Sequence, residues 1–308
     1  MMNKGNKEWI GFLLGLAATV LWASYYPAAR FIFGTAEQSD PLLLSIIRMG
    51  FTVLFFLPFI VFSKKRRSLL PELLKTEWKV LAFLAFSGVV VQGVLVFISL
   101  KYTTAARGAL MANMAPIFTV IFAWLFLKES ISAKMWFGMI IGFAGISLSM
   151  VSSAKDIFLN NSASTLFGDL LALLSGVAWA LYTVAGVRIV RERDSMTVTM
   201  LTFAMGFLMM PPVMLIFGSP FDLSTMTPRL WIGMLYMGIF TGGLAFWAWL
   251  AALRFTSSSK LGSFGYLSAL LAALSSMLLL KESLSLLFLI SVVMALGGVA
   301  LMMQKQTK

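Results

Sequence analysis

The segment Lys101–Ser132, KYTTAARGALMANMAPIFTVIFAWLFLKESIS, returns later in the chain as Arg254–Ser285, RFTSSSKLGSFGYLSALLAALSSMLLLKESLS. Lys101-Tyr102-Thr103 answers Arg254-Phe255-Thr256, and Lys128-Glu129-Ser130 answers Lys281-Glu282-Ser283, both at a spacing of 153 residues. Each copy is an apolar run of about 20 residues with a charged tail, long enough to cross a bilayer. A duplication that lies inside apolar segments restricts the fold strongly, because what one half builds the other must build as well.

The rest of the chain falls into the same kind of segment. Ten apolar runs are predicted, at roughly Trp9–Phe31, Leu42–Phe62, Trp78–Leu100, Ala105–Leu127, Lys134–Val151, Phe167–Ile189, Thr197–Phe217, Trp231–Leu253, Leu261–Leu280 and Leu286–Met303. Overall 60% of residues are hydrophobic and 12% charged, against about half and a quarter in soluble domains. The expected fold class is therefore an all-α integral membrane protein with ten transmembrane helices in two five-helix repeats. The repeats are read as residues 1–155 and 156–308, joined through the polar stretch Asn160–Thr165. The N-terminal stretch has the basic head and apolar body of a signal peptide. Its apolar part is too long for that, and it has a counterpart in the second half, so it is read as the first helix.

Charge sets the orientation. With the N-terminus inside, seventeen of the 24 Lys and Arg residues fall on the inner side, which places both termini in the cytoplasm. The formal charge of +12 is thus explained by retention of basic residues beside the inner membrane surface, and no nucleic-acid partner is expected. Five spans per half is an odd number, so the second half enters the membrane upside down relative to the first. Two similar units of opposite orientation are the pattern of alternating-access transport.

Other chemistries find little support. The chain has no His and no Cys, which removes disulfides, thiol chemistry, the usual zinc sites and the commonest general base. No catalytic residue, metal or cofactor is expected. A membrane-embedded enzyme acting on lipid carriers would need a nucleophile, base or metal site at the membrane surface.

The repeat also carries individual residues. Trp78 answers Trp231, and Gly145 answers Gly298, at the same spacing. In the first helices LWASYYPAARF answers AWALYTVAGVR, which pairs Trp22 with Trp179 and Tyr25 with Tyr182. Four features together resemble the drug/metabolite transporter superfamily in its EamA-type, ten-helix branch. They are the W-A-x-Y pattern in helices one and six and Arg48 within LLLSIIRMGF of helix two. They continue with the small-residue start of helix four leading to Pro116 and Lys128-Glu129, and the echo of that helix in helix nine. The resemblance implies a transporter of small organic metabolites at the cell inner membrane, export of amino acids or related compounds, and a cavity lined by the first four helices of each half. It also implies a homodimer through helices five and ten. Uptake or exchange of another metabolite or vitamin would use the same fold. Ala269 stands opposite Pro116, so a proline bend is expected in helix four alone.

Substrate sites in such folds lie near the bilayer midplane, so polar and aromatic residues inside spans are the candidates. Trp22, Tyr25 and Tyr26 share a helix face, as do Trp179, Tyr182 and Thr183. Their rings would line a cavity or, alternatively, form an interfacial belt. Arg48 would hold a substrate carboxylate, snorkel outward, or pair with Asp40 or Glu37. Asn113, with the carbonyl of Ala112 released by Pro116, would meet substrate or another helix. Gln92, Trp247 and Tyr266 complete the set, and Pro116 is the expected bend for gating. Asp169 is read as a helix cap or a proton-coupling group, and Arg30 and Arg107 as a positive outer vestibule. Gly11…Gly15, Gly138…Gly142 and Gly238…Gly242 permit close helix contact.

Overall fold

Helices begin where short polar residues interrupt the apolar runs. Asp40 accepts the N–H groups of Leu42 and Leu43, and Pro41 follows at the start of the helix. Ser63, Thr104, Asp194, Thr227 and Ser257 cap later helices in the same way. Each supplies an acceptor to an amide that has none within its own first turn. Lys128 ends the fourth span in the left-handed region, with φ at 54°. A residue in that conformation is a common helix stop.

The computed structural model describes residues 4–24, 40–153, 162–217, 221–280 and 286–304. Among them every regular element is helical, and the helices gather into ten long stretches. The first, second and third are Lys4–Ala23, Pro41–Val61 and Trp78–Ser99. The fourth comes in two pieces, Ala105–Ala112 and Ala115–Leu127, and the fifth is Ala133–Ser153. The sixth to eighth are Ala163–Glu192, Ser195–Ile216 and Pro228–Ala252. The ninth is again divided, into Ser258–Gly262 and Phe264–Leu280, and the tenth is Leu286–Met303. Seven of these are long and apolar enough to span a membrane on length and hydropathy alone. Large apolar side chains such as Phe126, Ile140, Leu208, Ile232 and Val293 are exposed along them, where acyl chains replace water. The protein is an all-α membrane protein.

One helix is not anticipated by the sequence. Lys64–Thr76 forms a 13-residue helix between the second and third spans, where a basic loop is expected. Ser63 caps it, Leu73 is fully buried, and Leu69 and Leu70 are partly buried on the same side.

Irregular turns recur with the repeat. The third span contains a π-helical segment at Ala85–Val91, and the eighth contains one at Met237–Leu244. The repeat spacing of 153 residues superimposes them to within one position. The fourth span breaks at Asn113-Met114, just before Pro116. The ninth also breaks, at Ser263, about one turn before the equivalent position, so the absence of proline opposite Pro116 does not leave it straight. Glycines flank this break: a Cβ on Gly265 would stand 3.0 Å from the Pro116 ring, and one on Gly262 would stand 3.0 Å from Thr119. The bent part of the ninth span thus seats directly on the bent part of the fourth.

The chain forms two compact units, Met1–Val90 with Ala185–Phe255, and Val91–Val184 with Thr256–Lys308. Each draws on both halves of the sequence. In the first, the first span packs on Ala245–Ala252, and the second packs on the seventh span and on the π segment of the eighth. A Cβ at Gly238 would stand 2.5 Å from that of Phe51 and 2.9 Å from the Arg48 carbonyl oxygen. In the second unit, the tenth span lies along the fifth. A Cβ at Gly298 would fall 2.5 Å from the carbonyl oxygen of Gly138 and the amide nitrogen of Gly142. Both glycine spacings therefore serve backbone-to-backbone packing inside the chain.

Candidate functional site

In the first unit the polar groups converge on the π segment of the eighth span. Trp22 donates its indole N–H to the carbonyl of Thr241 at 3.0 Å. Its ring meets Phe246 edge-on at 5.5 Å and Trp249 at 5.2 Å. Thr52 donates its hydroxyl to the Gly238 carbonyl at 2.8 Å and to the Arg48 carbonyl at 3.1 Å. Arg48 is partly exposed and lies on the helix that touches this segment, and Trp247, also partly exposed, follows it. Asp40, one of the sequence-expected partners of Arg48, uses Oδ1 to cap the second span. The hydroxyls of Ser24 and Tyr236 are 2.8 Å apart at the entrance to the segment. Sequence reasoning missed both. The available signal was a tyrosine just ahead of the Gly238…Gly242 pair. Tyr25, Tyr26, Arg30 and Glu37 lie outside the described residues.

The second unit holds Gln92, Asn113, Pro116, Asp169, Trp179, Tyr182 and Tyr266. Asn113 turns its amide back to the carbonyl of Ala109, at 2.8 Å on its own helix. The Ala112 carbonyl oxygen stands 2.8 Å from where a Cβ on Gly176 would lie, so the sixth span closes over the break with a bare backbone. Trp179 stacks on Tyr182 at 5.2 Å, and Tyr182 is fully buried. Tyr266 is fully buried among Val120, Met139 and Phe288, with its ring against Gly142 and its hydroxyl without a hydrogen-bond partner among the described residues. Gln92 follows the π segment of the third span and is partly buried.

Asp169 is not a helix cap. The sixth span begins six residues earlier, at Ala163, and the carboxylate instead meets Arg107. Arg107 Nε lies 3.2 and 3.0 Å from the two carboxylate oxygens, and Nη2 donates to Oδ2. Thr103 adds its hydroxyl at 2.6 Å. Arg107 is 5% and Asp169 7% exposed, so the pair is enclosed and bidentate, the strong form of such contacts. Arg107 is thus no free vestibule charge.

Glu129 makes a second such link. It accepts from the N–H and hydroxyl of Ser258, at 3.0 and 2.8 Å, and from the N–H of Ser259 at 3.2 Å and its hydroxyl. One carboxylate therefore holds the start of the ninth span to the end of the fourth, where helix N-termini favour negative charge.

Among the described residues no three His, Cys, Asp or Glu side chains come together as metal ligands would. An open cleft of about 420 Å³ at the end of the fourth span is lined by Trp124, Leu125, Lys128, Glu129, Ser130 and Ile131, and by none of the expected substrate contacts.

The profile of the EamA-like transporter family matches residues 9–151 and again residues 166–304. The chain belongs to this family. An uncharacterized transporter of Archaeoglobus fulgidus is 30% identical over 75% of this EamA-type chain and 78% of its own length. The transporter YyaM of Bacillus subtilis, also uncharacterized, is 30% identical over 55% of each chain. A solved crystal structure matches with a TM-score of 0.78 over 94% of this chain and 95% of that one, at 20% identity, and so shares the fold. This EamA-type protein is a membrane transporter with its irregular helices at repeat-related positions.

Proposed function

We propose that this transporter moves a small organic metabolite by alternating access, and that it exports amino acids or related compounds across the bacterial inner membrane. The observation that carries this reading is the recurrence of the two π segments and the two broken spans at repeat-related positions. Discontinuous helices are where secondary transporters build their solute sites, and π segments concentrate at functional sites. Arg48, inside a span and beside one π segment, is the proposed anchor for a substrate carboxylate. Trp22, Trp247 and Tyr236 supply rings in the same unit. In the other unit Gln92, Asn113 and Trp179 stand about the third- and fourth-span irregularities, while Tyr182 and Tyr266 are packed. We propose no enzymatic step. Import or exchange of another metabolite or vitamin would use the same residues.

Purified protein in liposomes should show saturable flux of carboxylate-bearing solutes without chemical change. Arg48→Ala should cut that flux by about 10-fold or more, the scale of a lost charge-assisted hydrogen bond. Equal flux in the variant would remove Arg48 from the site, and a covalently altered product would overturn the transport reading.

The proposed orientation has both termini in the cytoplasm. Because the chain has no cysteine, single cysteines at the exposed positions Ser68 and Ser224 should react from opposite faces, with Ser68 cytoplasmic. Labelling from one face would break the topology. Dimerisation through the fifth and tenth spans would use their outward faces, where Phe137, Ile140 and Val293 are exposed.

A further inference from the structure

The helix Lys64–Thr76 sorts its charges by side. Its acidic residue and the acidic residues around it are taken up in ion pairs within the chain. Glu72 and Glu77 both pair with Arg193, and Asp194 pairs with Arg66 at 3.1 Å. The hydrogen bond to Glu72 lifts the Arg193 guanidinium above its ordinary value. Lys64, Lys65, Arg67, Lys75 and Lys79 are exposed, and no carboxylate pairs with them among the described residues.

Apolar and aromatic side chains stand among these cations. Phe62 is 88% exposed, and Phe59, Leu74 and Trp78 are exposed as well. Lys79 Nζ sits 5.8 Å from the centre of the Trp78 ring. Between the end of the second span and the start of this helix lies an open cleft of about 370 Å³. Pro58, Phe59 and Phe62 form its apolar walls, and Ser63 and Arg66 form its polar end. Arg66 and Arg67 also donate to the carbonyls of Phe59 and Val61, at 3.4 and 3.3 Å.

We propose that the helix Lys64–Thr76 and the cleft beside it bind the phosphate headgroup of an anionic phospholipid of the surrounding bilayer. The cations meet the phosphate, and Phe59 and Phe62 lie along the upper acyl chain. A basic amphipathic helix next to a span is suited to an anionic lipid surface, which attracts each nearby Lys or Arg. The inference rests on the chain being a membrane protein and not on the identity of its solute.

A fluorophore on Ser68→Cys, otherwise in the intact chain, reads the site directly. The protein is placed in vesicles of phosphatidylcholine with about 30% phosphatidylglycerol, where one lipid or the other carries a headgroup nitroxide in equal amount. Nitroxide phosphatidylglycerol should quench at least about 3-fold more than nitroxide phosphatidylcholine. The preference should vanish in the variant Lys64→Gln/Lys65→Gln/Lys75→Gln. If that variant does not fold, salt at about 1 M, which screens charges beyond roughly 3 Å, should erase the preference in the parent. Equal quenching by the two lipids, or a preference indifferent to both changes, overturns the proposal. Loss of the preference on adding inorganic phosphate at constant ionic strength would overturn it too, by assigning the site to the free anion.

Discussion

Arg107→Ala should destabilise the protein by about 3–5 kcal/mol, the cost of leaving one member of a buried ion pair alone. Both partners are buried. Asp169 would keep only the Thr103 hydroxyl at 2.6 Å. Asp169→Ala should also destabilise, because Arg107 loses its bidentate carboxylate. The double variant Arg107→Ala/Asp169→Ala should recover part of the loss, because the two residues act as a unit. Thermal unfolding in one detergent measures all three. A double variant whose loss equals the sum of the singles would show that the pair is not coupled. The same residue bears on the driving force of transport. Proton coupling through Asp169, which we propose as a second role, would require its carboxylate to exchange Arg107 for a proton during the cycle. Asp169→Asn should then carry solute at a rate independent of pH, and an unchanged pH dependence would restrict Asp169 to a structural role.

That pair was beyond the reach of the sequence. Arg107 and Asp169 are 62 positions apart, on helices that apolar periodicity places separately and does not orient. Helix existence was far more legible, because a run of about 20 apolar residues has few alternatives. The tenth span is Leu286–Met303 in both readings. The helix Lys64–Thr76 escaped notice because it is too short to span and carries lysines and arginines, which read first as a topological signal. Its Ser63 cap was the available clue.

The irregular segments divide in the same way. Pro116 announced the break in the fourth span, since a proline removes a donor and displaces a carbonyl. At the break in the ninth, Gly262 and Gly265 lie against Thr119 and Pro116, a contact that the pattern of one helix does not show. The π segments share a repeat position but hardly a residue: AFSGVVV in one, MGIFTGGL in the other. Asn113 illustrates the limit for side chains. Its place on the helix followed from the chain, but the turn of its amide toward Ala109 is a rotamer choice that no pattern encodes.

Gly298→Ala should destabilise by about 1–3 kcal/mol, the range for overpacking a filled contact, whereas the neighbouring Gly297→Ala should be neutral or gain up to about 1 kcal/mol in helix propensity. A new Cβ at position 298 falls 2.5 Å from the Gly138 carbonyl oxygen and 2.6 Å from the Gly142 Cα, while one at 297 meets nothing within 4 Å. The atoms in the way are backbone, so relief requires the two helices to separate. Between membrane helices close packing is itself a main source of attraction. Gly145→Ala should behave like Gly298→Ala, because its Cβ would meet the Ala295 amide nitrogen at 2.7 Å and the Ser291 carbonyl oxygen at 2.9 Å. Ser291 and Ala295 are the repeat equivalents of Gly138 and Gly142, just as Gly298 is that of Gly145. Each helix thus presses the same glycine onto the same two positions of the other, a self-complementary contact of the kind a two-fold axis generates. Unfolding midpoints of the three variants in one detergent test this. Equal midpoints for Gly297→Ala and Gly298→Ala would contradict the packing, and a tolerated Gly145→Ala beside a damaging Gly298→Ala would contradict the symmetry.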